Sequence, residues 1–145
     1  MSNTLSNHEI DEIIKKKNIN SFHGCFMSDS IPSGLGYGSY IFNMDKSGGE
    51  GTHWTALCIG RGGVSFYFDS YGLLAPKLLH DQISPYTYNN RELQDYKSTS
   101  CGFFCIAFIQ YMTRRGMTED NFKKFLSFFR TYPSNEYNEL ILNRF

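Results

Sequence analysis

The chain has 145 residues, 41% of them apolar and 19% charged, which fits one globular domain over 1–145 and excludes a disordered chain. Fourteen Lys and Arg offset fourteen Asp and Glu, and a net charge of zero excludes strong charge-driven binding of nucleic acid or an anionic membrane by the chain as a whole. Four Cys behind a polar N-terminus read as free thiols in a reducing compartment, and the longest apolar run, Phe103 to Ile109, falls far short of the ~20 residues that cross a bilayer.

In chain order, Leu5, Ser6 and Glu9 predict a helix start. Ser6 and Glu9 have the spacing of a capping box, Leu5 can staple to Ile10, and Ile10, Ile13 and Ile14 share a face. Residues 28–38 read as a loop by their Gly, Ser and Pro content, 39–44 as a strand and 45–51 as a second loop. HWTALCI and VSFYFDS are β-rich runs joined by GRGG, a hairpin signal. Pro76 to Ser84 reads as a short helix with Pro in its first turn. Tyr86 to Ser100 is polar and irregular. CGFFCIAFIQYMTRR is an apolar helix ending at Gly116. Thr118 caps a further helix with Phe122, Phe125, Leu126 and Phe129 on one face, Pro133 ends it, and Ser134 starts a last short one. Helix, strands, then helices is the order of an α+β fold.

The hairpin brings two reactive residues toward each other. A turn over Gly60–Gly62 sets His53 opposite Asp69, whereas a turn over Arg61–Gly63 makes them diagonal neighbours, roughly 7–8 Å apart. A carboxylate beside a His fixes its tautomer and stabilises the imidazolium. A surface His near a strand-end Asp would look the same in sequence. Cys101 opens the long apolar helix, where the helix dipole favours the thiolate that attacks carbonyls, and Gly102 gives the backbone room beside it. Cys105 lies one turn on among apolar residues and reads as core. Gln94, seven residues before Cys101, carries an amide that can donate to an oxyanion with the Cys101 N–H. A metal site on Cys101-x-x-x-Cys105 with His53 and Cys58 lacks a second close ligand pair, so neither metal nor cofactor is expected.

His, Asp, Gln and Cys in that order, within GTHWTALCI, FYFDSYGLLAP and Gln94 with CGFFC, resemble the adenovirus endopeptidase (adenain) family and the SUMO-protease group. FHGCFMSDSIP and SYIFNMD resemble that family's approach to the His strand. The resemblance implies a papain-like fold of permuted order, a central, mostly antiparallel sheet, and the nucleophile at the start of a central helix. It implies Cys101 as nucleophile, His53 as base and then acid, Asp69 as the group that orients His53, and Gln94 with the Cys101 N–H as the oxyanion hole. Trp54 would line or roof the cleft. Adenoviral enzymes carry Glu at the acid position, where this chain has Asp as SUMO proteases do.

The nearest likeness is to the small capsid-maturation proteases of virophages and related double-stranded DNA viruses. It implies a viral cysteine endopeptidase that cuts capsid precursor proteins at Gly-containing sites, in the virion and host-cell cytoplasm, with an activating viral peptide as a further partner. An isopeptidase acting on ubiquitin-like conjugates, a His–Asp–Cys acetyltransferase and an inactive ubiquitin-like-binding module are the alternatives. No Lys/Arg cluster near the motifs marks the phosphate pocket that acetyl-coenzyme A needs, and the complete set of four residues speaks against decay to a binding module.

Overall fold

A helix-packed five-stranded sheet organises the chain in a computed structural model, which describes residues 4–44, 53–94, 100–131 and 135–145. The elements run α1 (Asn7–Lys16), β1 (Phe22–Met27), β2 (Gly38–Asn43), β3 (Trp54–Ile59), β4 (Ser65–Phe68), α2 (Lys77–Ile83), β5 (Thr87–Tyr88), α3 (Cys101–Arg115), α4 (Glu119–Ser127) and α5 (Asn135–Leu142). The sheet order follows the sequence, β1-β2-β3-β4-β5. Its centre, β2-β3-β4, is antiparallel, and each edge strand joins it in parallel. No helix among the described residues is long and apolar enough to cross a membrane.

Period-two side chains divide the core between the two faces. Ile41, Trp54, Ala56, Cys58, Phe66 and Phe68 face α1, α3 and α4, while Tyr40, Phe42, Leu57, Ile59 and Tyr67 face Leu79 and Ile83 of α2. Because both faces are covered, β2, β3 and β4 are buried at every position. Phe68 is the hub of the ring packing, with centroids 5.3 Å from Phe108 and 5.7 Å from Phe125. α3 is buried almost all round, as expected of a helix gripped by a sheet on one side and helices on the other.

Local signals set most boundaries. The Ser6 hydroxyl accepts from the Glu9 N–H at 3.2 Å, and the Glu9 carboxylate accepts from the Ser6 N–H at 2.9 Å. α3 ends at Gly116, and the Thr118 hydroxyl caps α4 by accepting from the Asn121 N–H at 3.2 Å. Two expectations need correcting. α4 ends at Ser127, ahead of Pro133, because the Phe128 and Phe129 N–H groups turn back onto the Phe125 and Leu126 carbonyls and Arg91 donates to the carbonyls of Leu126 and Phe129. The stretch after Tyr86 is not wholly irregular, since Thr87–Tyr88 pairs with β4. The predicted loop over 45–51, Pro133 and Ser134 lie outside the described residues.

Candidate active site

The hairpin takes the second of its two predicted registers, the turn over Arg61–Gly63. Ile59 pairs with Ser65, Ala56 pairs with Phe68, and the Gly60 N–H donates to the Val64 carbonyl at 2.8 Å across the Arg61–Gly63 turn. Carried to the open end, this register puts His53 opposite Tyr71 and diagonal to Asp69. The diagonal is short enough for a hydrogen bond, His53 Nε2 to Asp69 Oδ1 at 2.8 Å.

Asp69 is fixed from several directions. It opens a tight turn closed by the Gly72 N–H on its carbonyl at 2.7 Å, and its carboxylate also accepts from the Tyr71 N–H at 2.8 Å. Gly72 is required there: its φ is +78°, and a Cβ would come within 2.6 Å of the Arg91 backbone. Buried Asn89 brackets the Asp69 backbone, accepting from its N–H at 3.1 Å and donating to its carbonyl at 2.6 Å. Sequence reasoning found neither Asn89 nor Tyr71. The Arg61–Gly63 register held the clue to Tyr71; a polar Asn 20 residues from Asp69 carries none.

Cys101 approaches from α3. Its Sγ accepts from the Trp54 N–H at 3.4 Å, so the residue after His53 docks the sulfur. With Nε2 committed to Asp69, Nδ1 is the His53 nitrogen left for the thiol. Nδ1 is buried and makes no other hydrogen bond among the described residues. The Ser100 hydroxyl donates to Glu139 at 2.6 Å rather than capping α3. Burial, the largest influence on His53, pulls its pKa down, but the hydrogen bonds to Asp69 and Cys101 and the charges of both outweigh it and push it up to about 9. A ring that is cationic near neutral pH stabilises negative charge on the sulfur opposite. Cys101 is 1% exposed, and the site opens to solvent on the His53 side, where that side chain is 12% exposed.

Gln94 is fully buried and sits beside the acid turn, where the Ser70 hydroxyl donates to its amide oxygen. That contact engages the oxygen end of the amide and so sets which end is oxygen and which is NH₂. Trp54 and Gly102 require correction. Trp54 is 3% exposed, and its indole N–H donates to the Leu5 carbonyl at 2.7 Å. The ring is therefore a buried strut, because an even-numbered β3 side chain turns toward α3 and the core. The room at Gly102 is taken by Leu5, whose Cδ1 lies 3.1 Å from where a Cβ would stand. Among the described residues, no group of three or more His, Cys, Asp and Glu side chains is placed to hold a metal.

No family model matches the chain, and no curated protein matches it. Among solved structures, the crystal structure of the ASFV pS273R protease is similar, with a TM-score of 0.60 over 97% of this chain at 17% identity. The match spans 66% of that protein's length. The α+β architecture with its covered sheet is thus a fold that this chain shares with the ASFV pS273R protease.

Proposed function

We propose that the chain is a viral cysteine endopeptidase. The observation that carries this reading is the meeting of three side chains from three elements. Cys101 sits at the first turn of α3 against the Trp54 N–H, beside a His53 whose far nitrogen is held by Asp69 at 2.8 Å. In the proposed reaction the Cys101 thiolate attacks the scissile carbonyl, and the His53 imidazolium protonates the departing amine. Water then hydrolyses the thioester, giving a proton to His53 as it attacks, and the thiolate returns. The Cys101 N–H, at an uncapped helix start, and the Gln94 NH₂ would stabilise the oxyanion. The likeness in fold to the ASFV pS273R protease supports the reaction class.

For substrates we propose capsid precursor proteins, cut after Gly during virion maturation in the virion and the host-cell cytoplasm. The deep burial of Cys101 favours Gly, since a residue without a side chain brings its carbonyl closest to a recessed sulfur. The test incubates the protein, and separately Cys101→Ala, with the capsid proteins of the virus that encodes it, and maps new termini by mass spectrometry. New termini after Gly in the active sample alone are expected. Termini identical in both samples would overturn the reading, and release of a ubiquitin-like protein from a conjugate instead would move it to an isopeptidase.

A further inference from the structure

We propose that Tyr71 is the positioning residue of the His53–Asp69 pair, one residue that braces the imidazole with its ring and the carboxylate with its backbone. The inference rests on the reading of Cys101 and His53 as a reactive pair. The Tyr71 ring lies flat on His53, with centroids 4.0 Å apart and planes 8° from parallel. Its N–H meets the same Asp69 Oδ1 that holds Nε2, at 2.8 Å in each case. The turn gives this placement little freedom. Gly72 closes it against the Arg91 backbone, the Leu93 N–H donates to the Ser70 carbonyl at 2.8 Å, and Asn89 holds Asp69 from below.

A ring stacked on imidazole does three things. It blocks rotation of His53 out of the plane that Asp69 and Cys101 define. It keeps water off one face. It also presents its electron-rich face to the imidazolium, an attraction that favours the charged form. The titratable groups facing His53 among the described residues are Asp69 at the end of β4, Cys101 at the start of α3 and Tyr71 itself. Tyr71 thus takes the aromatic place next to the site that Trp54, turned into the core, does not fill.

The test uses ¹⁵N-histidine-labelled protein, with Tyr71→Phe, Tyr71→Leu and Tyr71→Met compared to wild type. Two quantities are read: the pH midpoint of the His53 ring nitrogens and the pH profile of Cys101 alkylation by iodoacetamide. Phe should titrate with the wild-type midpoint because the ring remains. Leu and Met should lower it by about half a unit to one and a half units, the equivalent of losing one cation–π contact. Both should move the alkaline limb of alkylation down by the same amount. Met, unbranched and of similar reach, is the second non-aromatic probe should Leu disturb the turn. An unchanged midpoint in Leu and Met, or a Phe variant that behaves like them, overturns the proposal. Neither readout needs a peptide substrate, so failure of the wild type to cleave proteins counts against the proposed function and leaves this inference standing or falling on its own.

Discussion

His53 joins two residues of unequal character, a carboxylate that holds its position and, in the proposed reaction, a sulfur that uses its charge. Both the Nε2–H and the Tyr71 N–H donate to a single Asp69 oxygen, so Asp69→Asn can keep both bonds while losing the negative charge. His53 is raised from its ordinary value to about 9, so its cation is present below that pH and lost above it. The kcat/KM profile should therefore fall as pH rises through about 9. Asp69→Asn should shift that limb to lower pH, since it removes a cause of the rise. Asp69→Ala, which also loses the geometry, should cost about 10²–10⁴ in rate, the range of one acid–base group. The profile of kcat/KM against pH in all three proteins checks this, and an unmoved limb in Asp69→Asn would separate His53 from Asp69 functionally. One turn along α3, Cys105 is wholly buried and its thiol is pushed well up, first by burial. Cys105→Ala should keep the reaction and cost about 1 kcal/mol for a methyl-sized void, readable in a denaturant melt.

At the scale of elements, the site is closed by a clasp between the start of α1, the head of β3 and the first turn of α3. The Leu5 carbonyl takes the Trp54 indole N–H at 2.7 Å while the Leu5 side chain rests on Gly102. Since Trp54 also offers its backbone N–H to Cys101, movement of the clasp reaches the sulfur. Gly102→Ala places a methyl group 3.1 Å from Leu5 Cδ1 and 3.3 Å from its Cβ. Overpacking of this kind costs about 1–3 kcal/mol. Leu5→Ala removes the distal contact at Cδ1, so the double variant should be more stable than the sum of the single effects. A double-mutant cycle from denaturant melts reads this coupling, and strict additivity would show that Leu5 and Gly102 do not press on each other.

At the scale of the whole molecule, what was legible in sequence was whatever a short span determines. Ser6 with Glu9, the GRGG turn, Gly116 and Thr118 each act on residues a few positions away, and each set a boundary. His53, Asp69 and Cys101 were legible because the hairpin register and a helix start place them. β1 was not, because its parallel pairing with β2 shifts between Phe22 and Cys25 and blurs the alternation. Asn89 and the inward turn of Trp54 depend on contacts 20 and 49 residues away, which no local pattern encodes. Activation of one thiol of the four by the proposed Cys101–His53 pair is read by mapping iodoacetamide labelling near neutral pH in wild type and His53→Ala. Cys25 is the more exposed thiol, but burial and then the Asp11 carboxylate push its pKa well up. Cys101 should label first, and His53→Ala should slow it by about tenfold or more, because the cation facing the sulfur is lost. Labelling of Cys25, Cys58 or Cys105 ahead of Cys101, or a Cys101 rate indifferent to His53→Ala, would contradict the account.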